Sequence, residues 1–333
     1  LTTALAFMAP FLAFSVAYGM VRWMLVSGVA RVALDNPSHR SLHEVPVPRT
    51  GGLAILAGVI GGWFLLPLAN FLPFLVPAAF LLIVSFIDDL LGLPATWRLA
   101  AHFIAAAGFF WIALSPLGSY WGAGLMIIGI VWLINLYNFM DGADGLAAGM
   151  TLFGFGTYGL AAWLAGDQNF ALLNFSLAFA ALAFLRFNFF PAKVFMGDAG
   201  SIPLGFFAAT MGLTGWQRDY WPLWFPFLVF SPFIVDATVT LIRRAGRRER
   251  VWQAHRTHYY QRLVQMGYGH RNTALLEYGL MAAIGASALW GVTRVDTEQW
   301  LLLALWAVIY SIVMRMVDVK WKHYSQQRAN SEN

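Results

Sequence analysis

The sequence has no cysteine, which excludes disulfides, thiolate zinc sites and cysteine nucleophiles and leaves the redox compartment unread. It is also poor in charge. Asp, Glu, Lys and Arg together make up 11% of the 333 residues, against roughly 25% in soluble domains. Internal repeats, low-complexity linkers and any break in composition that would mark a second domain are missing as well. The chain is instead 59% hydrophobic and 16% aromatic. The expected class is an all-α, polytopic integral membrane protein, with residues 1–333 forming one membrane-embedded domain. The net charge of +5 is not gathered into a basic arm or an RNA-binding module, so no nucleic-acid partner is expected.

A spanning helix takes about 20 apolar residues. Apolar runs between polar or Pro/Gly breaks give about eleven such segments, near 3–27, 50–67, 71–88, 97–115, 120–138, 145–165, 169–187, 201–215, 222–243, 273–292 and 298–317. No basic residue precedes the first run, and Arg22 and Arg31 come at or after its end. That pattern predicts a retained helix with its N-terminus outside rather than a cleaved signal peptide. Helix parity then puts residues 28–49, 88–97, 138–145, 187–201, 243–272 and the tail after 317 on the inner side. Of the 21 Lys and Arg, only Arg218 and Arg294 fall outside, a positive-inside bias that predicts a cytoplasmic C-terminus. Trp216, Trp221, Trp224 and Trp300 become belt residues of the outer interface. The segment 243–272 is the largest expected extramembrane piece, and most of its arginines are expected to touch anionic lipid.

The inner turns hold nearly all the unusual polar residues. Asp88 and Asp89 end an apolar run, where adjacent carboxylates repel unless a divalent cation or a neighbour such as Arg98 offsets them; a solvated helix end explains such a pair about as well. In Asn138-Phe139-Met140-Asp141-Gly142-Ala143-Asp144-Gly145, Asn135, Asn138, Asp141 and Asp144 recur at spacing three, beside glycines that admit a close ligand. Asn188 leads into Pro191-Ala192-Lys193-Val194-Phe195-Met196-Gly197-Asp198-Ala199-Gly200-Ser201, where a helix start suits phosphate and Asp198 suits a metal. A metal-bridged diphosphate satisfies both, whereas a tight turn with a serine cap leaves Asn188 and Lys193 unexplained. His255 and His258 flank Arg256, a set that suits a diphosphate better than zinc. Asp236, within an apolar run, is either a functional acid or one paired structurally. The first inner loop, with Asp35-Asn36-Pro37, His39-Arg40-Ser41-Leu42-His43 and Pro46-Val47-Pro48-Arg49-Thr50-Gly51-Gly52, is either a rigid surface loop or a wall of the substrate path. Carboxylates collected at one membrane face imply a bound cation or a reaction that needs them. A transporter with a cytoplasmic acidic ion site is the rival from another class, but it predicts midplane polar groups and internal repeats. A CDP-alcohol phosphotransferase would show spaced Asp, Gly and Arg residues in one segment, and a noncatalytic scaffold would need none of this chemistry.

In this order the segments resemble the polyprenyl-phosphate N-acetylhexosamine-1-phosphate transferases, glycosyltransferase family 4, over nearly the whole chain. Pro48-Arg49-Thr50-Gly51-Gly52, Phe86-Ile87-Asp88-Asp89, Asn138 through Ala147 and Pro191 through Ser201 match the family's motifs. Peptidoglycan members that make lipid I carry a triple histidine where this chain has His255-Arg256-Thr257-His258. The segment is closer to the WecA/WbpL-type branch that initiates O-antigens. The resemblance implies transfer of a sugar-1-phosphate from a UDP-N-acetylamino sugar, UDP-GlcNAc or a deoxy analogue such as UDP-FucNAc or UDP-QuiNAc, to undecaprenyl phosphate with release of UMP. It implies Mg²⁺, replaceable by Mn²⁺, at the cytoplasmic face of a bacterial inner membrane, and a homodimer. By family position, Asp88, Asp89 and Asp198 are catalytic, with Asp198 and Asp89 on the metal and Asp88 as the base. Asn138, Asp141, Asp144, Asn188 and Phe195 fall to the nucleotide, and His255, Arg256 and His258 to the diphosphate or sugar.

Overall fold

The computed structural model describes residues 4–35, 37, 42, 45–114, 120–250, 253 and 255–332. Asn36, His39, Arg40, Ser41 and His43 of the first inner loop lie outside the described residues. Every apolar run read from the sequence is helical: α1 (Ala9–Ser27), α2 (Gly51–Trp63), α3 (Leu68–Leu91), α4 (Ala95–Phe109), α5 (Tyr120–Phe139), α6 (Leu146–Leu164), α7 (Gln168–Asn188) and α8 (Asp198–Gln217). They are followed by α9 (Trp224–Val229), α10 (Ser231–Gly246), α11 (Tyr259–Leu263), α12 (Gly269–Val292) and α13 (Asp296–Glu332). The only strands among the described residues are β1 (Leu34–Asp35) and β2 (Val47–Pro48), antiparallel with Leu34 opposite Pro48. The expected 222–243 segment is two helices, because the chain leaves helical geometry at Phe230 and restarts with Pro232 in the first turn of α10, where a missing N–H costs nothing.

Seven helical stretches are long and apolar enough to cross a membrane: 4–27, 68–91, 95–114, 120–139, 168–188, 259–292 and 296–330. At 13 residues, α2 is shorter than a span requires. Neither α6 nor α8 is among the seven, for a reason visible in their surroundings. α8 is buried along most of its length and packs against α2, α3, α5 and α6. Surfaces that meet helices rather than lipid are built from small residues that let backbones close in. At Gly205 an added Cβ would stand 2.9 Å from Ile134 Cα and from the Leu133 carbonyl oxygen of α5.

The bundle is braced at both ends. At one end Asp167 caps α7 by accepting the Phe170 N–H at 3.0 Å and binds Arg218 at 2.9 Å and the Tyr220 hydroxyl at 2.6 Å. At the other, Asp318 of α13 accepts from Arg243 of α10, from Arg262 of α11 at 2.9 Å and from the Tyr259 hydroxyl at 3.2 Å. Within the arginine-rich segment Arg244 is buried and donates to the Arg250 carbonyl at 3.2 Å. Arg243, Arg244 and Arg262 are therefore engaged with protein, while Arg247, Arg248 and Arg250 are exposed. The expectation for Trp221 needs correcting. It is buried, stacks on Tyr158 with ring centroids 5.1 Å apart, and donates to the Gly212 carbonyl, whereas Trp300 is exposed.

Candidate functional site

The braced end that holds Asp318 also holds the ends of α3, α5, α7 and α10 and the starts of α2, α6 and α8. Between them lies a cavity of about 820 Å³. Its wall includes Asp88, Asp89, Asn138, Asp141, Asp144, Asn188, Phe195, Asp198, His255 and His258. Ten of the eleven residues picked from the sequence thus meet in one space, although they come from four separate turns. Arg256 is the exception: it is exposed and does not line the cavity. Lys193 is also exposed and outside it.

Asp88 and Asp89 occupy the last turn of α3, which Gly92 ends. Asp88 accepts the Leu93 N–H at 2.6 Å and pairs with Arg98 at 3.1 Å; the same guanidinium nitrogen lies 3.5 Å from Asp198. Arg98 therefore ties the acids of two turns together. The Asp89 side chain is buried, with Arg49 at 3.6 Å and the Ala199 N–H at 3.4 Å. Asp198 opens α8, where the exposed N–H groups of the first turn favour a carboxylate. Before it, Gly197 has φ +71°, and a Cβ there would meet the Arg49 carbonyl oxygen at 2.6 Å; no side chain fits that conformation without strain.

The segment carrying Asp198 is held by the first loop. Phe195 N–H donates to the Pro48 carbonyl at 2.7 Å, Gly51 N–H to Phe195 at 2.9 Å and Gly52 N–H to Met196 at 2.8 Å. Arg49, which also binds Asp35 at 3.0 Å, is thereby delivered to Asp89. Its loop is a wall of the cavity.

Asn188 is buried and uses its whole amide on backbone, accepting from Gly145 N–H at 3.0 Å and donating to the Val194 carbonyl at 2.9 Å. It stitches the second turn to the third. Asn188→Ala should cost about 3 kcal/mol, because both backbone groups lose a partner in a buried place; chemical unfolding in detergent would measure it. Asp144 is likewise engaged, with the Ala192 N–H at 3.0 Å and His270 at 3.2 Å. Asn138 accepts the Ser201 hydroxyl at 2.7 Å.

Asp141 differs from these. Its carboxylate makes no hydrogen bond or ion pair among the described residues. Burial, and then the carboxylates of Asp198, Asp89 and Asp35, push its carboxyl well above the ordinary range. Three acids thus gather around Asp141, and among the described residues Arg49 and Arg98 pair with them. Among the described residues no three acidic or histidine side chains form a ready-made metal cluster. The donors that converge are hard carboxylate oxygens, which fit a small divalent cation held by one or two acids and completed by a ligand's phosphates and water.

The cavity wall also carries His255 and His258, with ring centroids 4.7 Å apart. His255 contacts the Thr257 hydroxyl at 3.0 Å. His258 lies against Asp236 at 3.2 Å and stacks on Tyr260. The Tyr260 hydroxyl reaches the Phe139 carbonyl at 3.2 Å.

Five polar or aromatic cavity residues escaped the sequence reading: His102, Gln253, Tyr260, Gln261 and His270. His102 had a usable signal, since it lies one helical turn after Arg98 on α4 and contacts Asn135 at 3.2 Å. The pairing of His270 with Asp144 leaves no local trace. An anionic cluster faced by arginine and imidazole at the end of a membrane bundle can bind a cation and a phosphorylated ligand together.

Comparison with known proteins agrees with that chemistry. A family model described as glycosyl transferase family 4 matches residues 71–215. The probable undecaprenyl-phosphate N-acetylglucosaminyl 1-phosphate transferase of Bacillus subtilis (strain 168) is 30% identical over 88% of this chain and 88% of its own. The decaprenyl-phosphate N-acetylglucosaminephosphotransferase of Mycobacterium tuberculosis (strain ATCC 25618 / H37Rv) is 32% identical over 87% of this chain and 83% of its own. The undecaprenyl-phosphate alpha-N-acetylglucosaminyl 1-phosphate transferase of Escherichia coli (strain K12) is 26% identical over 87% and 84%.

Proposed function

The chain belongs to the polyprenyl-phosphate N-acetylglucosamine-1-phosphate transferase family, and on that premise we propose that it moves an N-acetylamino-sugar-1-phosphate from a UDP-sugar to undecaprenyl phosphate. UDP-GlcNAc is the proposed donor, since the relatives' names carry that sugar; the deoxy sugars UDP-FucNAc and UDP-QuiNAc are the alternatives. The reaction takes place at the cytoplasmic face of a bacterial inner membrane and gives the first lipid-linked unit of an O-antigen or other cell-surface polysaccharide.

The observation that carries this reading is the convergence of Asp88, Asp89, Asp141 and Asp198 with Arg49, Arg98 and His258 on one cavity. An oxygen of the lipid phosphate attacks the donor phosphorus that bears the sugar. A new P–O bond forms there, and the bond to the bridging oxygen breaks, so that UMP leaves with the electron pair. Two anions must meet, and Arg49 and Arg98 lower that repulsion. Asp88 takes the remaining proton of the acceptor, a modest task because the second pKa of a phosphate monoester is near 6. Asp89 and Asp198 would hold Mg²⁺ or Mn²⁺, which would supply positive charge against the donor diphosphate and the leaving UMP. Asp141 and Phe195 meet the nucleotide, and His255 and His258 grip the diphosphate or sugar.

Purified protein incubated with UDP-GlcNAc should release UMP only when both undecaprenyl phosphate and a divalent cation are present. EDTA should reduce the rate about a thousandfold or more, and added Mg²⁺ should restore it. UMP release without the lipid would make the protein a hydrolase and overturn the reading. A panel of UDP-N-acetyl sugars in the same assay identifies the donor.

A further inference from the structure

Asp236 sits on α10, one turn before Thr240, and does not line the cavity. Its carboxylate is buried and saturated from one side. Oδ1 accepts the Tyr259 N–H at 2.9 Å, the Thr240 hydroxyl at 3.2 Å and His258 Nδ1 at 3.2 Å, and Oδ2 accepts the Tyr260 N–H at 3.0 Å. An acid that already takes backbone N–H groups on both oxygens has only acceptor capacity left for the imidazole. The proton on the Asp236 side of His258 therefore belongs to Nδ1, and Nε2 is the ring nitrogen left for a ligand.

The rest of the imidazole's surroundings point the same way. His258 is 2% exposed, yet it lines the cavity. Nε2 makes no hydrogen bond among the described residues. A second brace holds the backbone on which it stands, since Gln261 accepts the His258 N–H at 3.2 Å and its own side chain lines the cavity.

We propose that Asp236 is a positioning residue for the transfer: it fixes the orientation of His258 and holds the proton on Nδ1, so that Nε2 is presented to the donor in the cavity. The inference rests on the reading that His258 contacts the donor. Asp236 itself touches no substrate. An asparagine at this position must turn its NH₂ toward either the Tyr260 N–H or the imidazole. The first choice sets two donors against each other. The second turns Nδ1 into an acceptor, so the imidazole no longer carries its proton there and the hydrogen bonding that Nε2 offers the donor changes.

A double-mutant cycle tests this, with kcat/KM for the UDP-sugar as the readout and thermal unfolding as the check on folding. Asp236→Asn and His258→Ala should each lower kcat/KM about tenfold or more, the scale of one lost charge-assisted hydrogen bond. The double variant should match His258→Ala to within about threefold, because Asp236 acts only through the imidazole. If Asp236→Asn costs its full factor in the His258→Ala background, the acid merely supports the fold and the proposal is overturned. Wild-type kinetics in His258→Ala would instead remove the donor contact on which the inference rests, so the two failures are distinct. If Asp236→Asn does not fold, the cycle is run with Asp236→Glu, which keeps the charge and displaces it by one methylene. The same loss of effect in the His258→Ala background is expected, and its absence overturns the proposal.

Discussion

Replacing Asp198 by asparagine should lower UMP release by about a thousandfold or more, equivalent to about 4 kcal/mol of lost transition-state stabilisation. The substitution is nearly isosteric, so hydrogen-bonding shape survives and charge does not. Asp198 opens α8 and faces Arg98 at 3.5 Å. Losing a carboxylate in the first turn of a helix costs about 1 kcal/mol or less, and the protein should stay folded in detergent. Turnover should fall far more than stability does. The reason is the proposed division of labour, in which Asp89 and Asp198 supply the protein's share of the cation's ligands and the remainder comes from substrate and water. With one of two acids gone, a cation at this site would have too little negative charge to hold it against Arg98. A variant that unfolds normally and turns over at the wild-type rate would take Asp198 out of metal binding.

Gly52→Ala is expected to be as damaging, by a wholly different route. An added Cβ would run into the backbone N and Cα of Gly200, and backbone cannot rotate aside as a side chain can. Overpacking of this kind costs about 3 kcal/mol. Relief would require the first loop to part from residues 195–200, breaking the hydrogen bonds of Gly51 and Gly52. Arg49 would then leave Asp89. Thermal unfolding should shift to lower temperature, and activity should be lost even where the protein remains folded. A variant with wild-type stability and rate would mean that the two segments separate without consequence.

These two substitutions show what the sequence made legible. The apolar runs were long and cleanly broken, so each of the expected helices is present, with 222–243 divided at Phe230. The acids were legible because a carboxylate near lipid needs a reason. Gly52 was visible only as half of a motif. That it touches Gly200 is a long-range fact without periodicity or composition to announce it. Asn188 stood out as polar, but its amide is spent on Gly145 and Val194, a commitment invisible before the turns are brought together. Asp236 was left between two readings, and the structure pairs it with backbone and His258. His270 reached the site unnoticed because a lone histidine near a glycine at the start of a helix carries no signal of a partner far upstream.

The hydrogen bonds between residues 48–52 and residues 195–196 also set an order on biosynthesis. When α1 and α2 have left the ribosome, the N–H groups of Gly51 and Gly52 have no protein partner, and water at the membrane surface must serve them until residues 195–196 have been made. Arg49 waits for the same event. His258 and its brace come later still. The catalytic half-sites therefore cannot mature one by one as the helices are inserted: a nascent chain halted before residue 195 has a membrane anchor and no enzyme. Quality control that reads exposed polar backbone at the bilayer surface has that whole interval in which to act.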